Sequence, residues 1–228
     1  MIAAMDAALH QQWVRKWREA REARLRAPGG WLSVVDRIEL GEGENDLPFG
    51  AVMVEGGVVR LGTRVLSFEE GSPDGVITHE GRSYELVRRD GQAAFRVKDP
   101  RAPALLAFRG LDYFPIDVRW RVPMRLVRQP VVLAHFSIEG KALSLEGSID
   151  EGKRRLSLAF GDLTNRTESY PAGRFLYAEL PPEGEDGELD FNVAYNPPCA
   201  FNELIACPLP PPRNRLPVAI PAGEKRFG

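Results

Sequence analysis

The residues able to do chemistry gather late in the chain. Asp190 and Asn192 alternate with Leu189 and Phe191. On a strand they share the face opposite the two apolar side chains, about 6–7 Å apart. Tyr195 and Asn196 follow at once, ahead of two prolines, and then Cys199. If that face lines a barrel or cleft, a carboxylate, an amide, a phenol and a thiol converge, the groups a small polar ligand needs. Arg174, on a neighbouring strand, would supply either an anion clamp or an ion pair to Asp190. In a hydrolase-like reading Asp190 is acid or base and Cys199 the nucleophile, activated if Arg174 or Arg215 lies beside it. His10, His79 and His135 are all distant in sequence, which removes the commonest base. The same residues have a scaffold reading, because Asp and Asn beside prolines tie turns down through side-chain to backbone hydrogen bonds.

Three further patterns are weaker. Gly147 to Arg154 nearly spells a phosphate-binding loop. Arg154 stands where a hydroxyl residue would hold magnesium, and the setting is a hairpin, so it reads as a turn. Pro208, Pro211 and Arg213 match a Pro-x-x-Pro-x-Arg ligand, but the flanking apolar residues make the segment a strap packed on its own domain. Cys199 and Cys207 have seven residues between them, not the two to four of a zinc knuckle, and no further ligands accompany them. No metal and no cofactor is expected.

The elements that must position these groups are mostly strands. Residues 5–27 read as one amphipathic helix with Met5, Leu9, Trp13, Trp17 and Ala20 on its apolar stripe. Pro28, Gly29 and Gly30 end it. From Trp31 the period shifts toward two. Val52 to Leu61, turning at Gly56-Gly57, reads as a hairpin, as does Tyr84 to Lys98, turning at Asp90-Gly91. Val118, Trp120 and Val122 alternate as the buried face of a strand. Further strands are expected at 131–138, 141–147, 153–160, 173–180 and 188–193. Prolines crowd the last thirty residues, which should run extended over the β core, pinned by Phe201, Leu204, Leu209 and Leu216.

The fold class is therefore mainly β: an N-terminal docking helix (1–30), a small β lobe (31–98), and a larger antiparallel barrel or sandwich (99–228) closed by the proline-rich tail. With 30 Lys and Arg against 32 Asp and Glu, a net charge of −2 argues against a nucleic-acid partner. No apolar run nears the roughly 20 residues of a membrane span. Asp6 interrupts what would be a leader, and two cysteines make no disulfide framework; the chain reads as cytoplasmic. Its oligomeric state is left open.

Several runs resemble one family. They are Gly30-Trp31-Leu32-Ser33, Arg96 to Asp99, Gly110 to Pro115, Gly173 to Tyr177, Leu189 to Asn192, Ala194 to Phe201, Cys207 to Pro212, Asn214 to Val218 and Ala222 to Lys225. Together they are similar to the domain of unknown function 1684 family, a group of uncharacterised bacterial proteins. The likeness is specific from about 95 to 228. Residues 126–140 are shorter than is usual there. The segment after Asn45 is also abbreviated, and lacks the Arg, Ser and His pattern with which a forkhead-associated module grips phosphothreonine. The resemblance implies a shared fold and brings no established activity.

The leading expectation is thus a small polar or anionic metabolite bound in the C-terminal lobe by Arg174, Asn192, Tyr195, Asn196 and Arg215, with hydrolase-like chemistry at Asp190 and Cys199. The alternative is a non-enzymatic interaction or scaffold protein that uses the small β lobe and the helix.

Overall fold

The structure, a computed structural model, describes residues 6–228 apart from 70, 90, 183 and 184. Met5 and the Asp90 half of the second hairpin turn lie outside the described residues. The chain divides into two compact units, one of Met1–Glu22 with Gly110–Gly228 and one of Ala23–Arg109.

The smaller unit is two antiparallel sheets. One has the order β1-β8-β7-β6, from β1 (Val34–Glu39), β6 (Val76–His79), β7 (Arg82–Arg89) and β8 (Gln92–Lys98). The other is the meander β2 (Gly43–Leu47), β3 (Gly50–Glu55), β4 (Val58–Leu61) and β5 (Arg64–Val65). The Gly56-Gly57 hairpin forms as expected: both glycines have positive φ, at 54° and 79°, as a two-residue turn between right-twisted strands demands. Val52, Val54, Val59, Leu86, Phe95 and Val97 fill the core of this unit.

The larger unit carries the six-stranded antiparallel sheet β13-β12-β11-β10-β9-β14. Its strands are β9 (Arg121–Val127), β10 (Leu133–Ile138), β11 (Lys141–Asp150), β12 (Arg155–Phe160), β13 (Arg174–Glu179) and β14 (Asp186–Asp190). The sheet curls until its two edge strands, β13 and β14, approach each other. They are stitched only beyond the end of β14, where Phe175 and Tyr195 exchange both backbone hydrogen bonds at 2.8 and 2.9 Å. The result is a nearly closed barrel, as the turn-punctuated strand pattern leads one to expect. Alternate residues fill it: Val122, Met124, Ala134, Phe136, Leu145, Leu156, Leu158, Leu176 and Leu189.

Two segments read as strand differ. Val118–Trp120 is a 3₁₀ turn capped by Asp117, so Val118 is exposed while Trp120 and Val122 are buried. Likewise β14 stops at Asp190, and Phe191–Val193 is a 3₁₀ turn with three consecutive buried residues. A side-chain carboxylate that accepts a backbone N–H two residues on competes with the strand ladder and wins at both places.

Helix α1 (Ala7–Arg26) docks on the barrel through a face that hydropathy alone does not reveal. Val14 is buried in the barrel core and Trp17 packs against it, but the flanking buried residues are His10 and Arg21, while Leu9 and Trp13 are exposed. The docked face is rotated by roughly a quarter turn from the apolar stripe.

The proline-rich strap closes the barrel from outside. Of its expected pins, Phe201 and Leu216 are buried but Leu204 and Leu209 are exposed; Val218, Ile220 and Ala222 join Leu216 in the barrel core, and buried polar ties add to them. Fully buried Asn214 accepts from Glu146 N and donates to the carbonyls of Glu146 and Ala159. The buried Arg174 guanidinium binds Asp162 at 2.6 Å and also donates to the carbonyls of Ile220 and Ala222. Gly223, at φ 79°, packs so close that a Cβ would lie 2.4 Å from the Ala194 carbonyl oxygen.

Arg174 and Asp162 are both completely buried, so removing one partner strands a charge without solvent. Asp162→Ala is expected to destabilise the protein by about 3–5 kcal/mol, read from urea denaturation midpoints against the wild type.

Candidate functional site

Because β13 and β14 do not pair along their length, a cleft of about 540 Å³ opens at their seam. One wall is the outer part of β13 and the chain beyond it, with Tyr177 and Glu179. The other is β14, with Asp186, Glu188 and Asp190. Trp13 of α1, Arg121 of β9 and Arg154 of the β11–β12 turn complete it. Asp186, Glu188 and Asp190 share one face by the period-two rule, while Leu189 between them points into the core. Arg121 lies directly across the ladder from Asp190 and bonds Glu188 diagonally.

Asp190 is the most constrained group of the cleft. Its Oδ1 accepts from the backbone N–H and the side-chain amide of Asn192, at 3.0 and 2.8 Å. Its Oδ2 meets His10 Nε2 at 2.6 Å. His10, 180 residues away in sequence, is fully buried, whereas the Asp190 side chain is 12% exposed. Only the carboxylate therefore reaches the cleft, and the imidazole behind it fixes its orientation. His10 Nδ1 faces no partner among the described residues, which favours the tautomer that carries its proton on Nε2 and donates it to Asp190.

The residues singled out from sequence fall into three places. Asp190 lines the cleft. Asn192 orients Asp190 and clasps Asp117, whose N–H donates to its Oδ1 at 3.0 Å and whose carbonyl accepts from its amide at 2.9 Å. Arg174 and Asn196 lie in the buried ties of the strap: Arg174 pairs with Asp162 rather than with Asp190, and Asn196 donates to the Lys225 carbonyl. Tyr195 lies inward of the seam among Trp17, Phe175 and Tyr177, under the Arg21 guanidinium. Arg215 is exposed and its backbone bridges Gly161. Cys199 sits on the strap, where its backbone N–H meets Cys207 Sγ at 3.2 Å and its carbonyl accepts from the Tyr170 hydroxyl. Of these six, only Asn192 bonds Asp190, Tyr195 reaches the cleft wall through Tyr177, and Cys199 is not among the residues that line the cleft.

Sequence reasoning gave His10, Trp13, Tyr177, Arg121 and Arg154 no place in the metabolite site. Glu188 carried a signal, since it alternates in phase with Asp190. His10 carried none, because only the tertiary fold brings α1 to the end of β14.

Three phenols feel the low dielectric here. Burial, then Tyr177, pushes Tyr195 well above the ordinary tyrosine range against the pull of Arg21 and Arg155. Burial and the Glu224 and Glu22 carboxylates do the same for Tyr113. Tyr170 is pushed up to about 12 by burial and by the Cys199 and Cys207 thiols. Each folded-state value lies above the unfolded one, about 10. The fold therefore holds these protons more tightly, and that contribution is intact below pH 10 and lost as pH rises through the folded values. Urea midpoints should fall between about pH 10 and pH 12, with phenolate absorbance rising as the chain unfolds. At neutral pH, His10→Phe preserves bulk but leaves Asp190 Oδ2 without its donor. It should cost about 1–3 kcal/mol, measured by the same denaturation.

Among the described residues no three His, Cys, Asp or Glu side chains converge as metal ligands, and no helix is long and apolar enough to cross a membrane. No curated protein matches the chain. Among solved structures, the solution NMR structure of an uncharacterised protein of Haloarcula marismortui is similar at 30% identity with a TM-score of 0.47, over 56% of this chain and 82% of that one. The model of the family described as protein of unknown function (DUF1684) matches residues 128–225, from just after β9 into the strap. The matched residues include β10 to β14 and most of the strap, so this part of the chain is similar to the DUF1684 family of proteins of unknown function.

Proposed function

We propose that the β13–β14 cleft binds a small polar metabolite through a positively charged or hydrogen-donating group. The observation that carries this reading is the cleft's make-up. Four carboxylates (Glu179, Asp186, Glu188 and Asp190) face two guanidiniums (Arg121 and Arg154), and one of those, Arg121, is already paired with Glu188. Trp13, 45% exposed, adds aromatic surface of the kind that holds cations against a ring face; Tyr177 already carries the Arg155 guanidinium 3.8 Å from its ring centroid. The cleft volume matches that of ordinary small-molecule sites. An anionic ligand has less support, because Arg174 is consumed by Asp162 and the strap carbonyls. Any hydrolase-like step here would rest on Asp190 as acid or base, with His10 as the group that positions it.

The interaction-protein reading draws on Leu9 and Trp13, exposed on one side of α1. It is weakened by the opposite side of the same helix, whose His10, Val14 and Arg21 are buried against the barrel. Deletion of residues 1–28 would remove core as well as surface.

The test is ligand-observed NMR with an alkyl diamine, a quaternary ammonium, a neutral sugar and a dicarboxylate. Binding is expected for the cationic or donor-rich probes. Trp13→Ala and Glu188→Gln should each weaken it tenfold or more, about 1.4 kcal/mol. Preference for the dicarboxylate would overturn the charge assignment.

A further inference from the structure

The strap carries a second group of reactive side chains, away from the cleft. Cys199 and Cys207 are both reduced and half-buried, so small solutes reach them while the surrounding fold limits their motion. The Cys199 backbone N–H points at Cys207 Sγ from 3.2 Å. A cysteine's own Sγ lies about 3–4 Å from its backbone nitrogen, so the two sulfurs occupy the same neighbourhood and rotation about χ1 brings them toward bonding range. The backbone on either side is fixed. Pro198–Ala200 is a 3₁₀ turn; Phe201 packs on Phe227 at 4.9 Å between ring centroids; and Pro212–Asn214 is anchored by buried Asn214. Between the cysteines, the N–H groups of Leu204 and Ile205 close a turn on Asn202, with Glu203 and Leu204 exposed.

From this geometry we infer that Cys199 and Cys207 form a redox-responsive dithiol that closes to an intramolecular disulfide when it meets a peroxide-class oxidant. One thiolate attacks the peroxide O–O bond, becomes a sulfenic acid and releases water. The second thiolate attacks the sulfenic sulfur, forms the S–S bond and expels hydroxide, which takes up the remaining proton as water. Two thiols are oxidised by two electrons and one peroxide is reduced to two waters. The closed loop would lock the 199–207 segment against the barrel. Reduction by a small dithiol would release it.

The experiment uses the full-length wild-type protein, reduced, then exposed to one equivalent of hydrogen peroxide, denatured and treated with iodoacetamide. The expected product is a monomer lighter by two hydrogens that takes no alkyl group and regains two after dithiothreitol. Cleavage after Glu203 should then leave the two cysteine peptides joined until reduction. Cys199→Ser and Cys207→Ser should each stop at sulfenic or sulfinic acid under the same treatment. Two alkylated thiols after peroxide, sulfinic acid in the wild type, or a disulfide between two chains would each overturn the inference.

Discussion

The larger unit depends on a carboxylate that never meets water. Glu224 is fully buried, and burial pushes its ionisation upward against the opposing pull of Arg21, the Asn196 N–H and Arg174. A charge in that position is tolerable only if hydrogen bonds replace its hydration. Arg21 Nε supplies one at 2.8 Å and Asn196 N another at 2.7 Å. Arg21 then reaches the Asn196 carbonyl at 3.0 Å and spreads its guanidinium over Tyr195 and Phe201. One buried acid thus joins α1, the stretch that stitches the barrel seam, and the strap. Each of these elements leaves the others' polar groups unsatisfied if it is absent.

That arrangement also explains why the barrel carries an opening. The seam between β13 and β14 is stitched at the Phe175–Tyr195 end, where Arg21 and Glu224 gather. Away from it the two strands do not pair, and β14 presents its acidic face to the gap. The carboxylates of β14 lie on the face opposite buried Leu189, so they border the gap without entering the core. The cleft is the place where the charged side of β14 keeps its access to solvent. His10 reinforces the same boundary from behind, holding Asp190 at the inner limit of the opening.

Much of the architecture was legible in sequence, and the failures share one cause. Strand alternation located β10 to β13 within a few residues, because apolar side chains at period two leave one face for the core whatever surrounds them. Gly56-Gly57 announced its turn through backbone freedom alone. The helix face was misjudged because hydropathy assigns His10 and Arg21 to solvent, and cannot know that Asp190 and Glu224 wait on the other side. The 188–193 stretch was extended too far because Asp190 and Asn192 satisfy backbone groups locally, an interaction that breaks alternation without leaving an apolar signature. The runs that carry the family likeness include Asn196, Asn214, Gly223 and Glu224, and in the fold these hold the strap in place. Their chemistry is structural, so a reading that treated polar residues in that region as a site was drawn to the ties and away from the seam.

The two ties of α1 span 180 and 203 residues of chain. The partners of His10 and Arg21 are made long after the helix itself. The unit of Ala23–Arg109, by contrast, is one uninterrupted segment whose contacts are all available early. During synthesis it can settle while α1 still lacks its seat and keeps Val14 and Trp17 uncovered. Loop closure over such distances is entropically slow, so the interval between completing the first unit and seating the helix is when the chain most needs protection from aggregation.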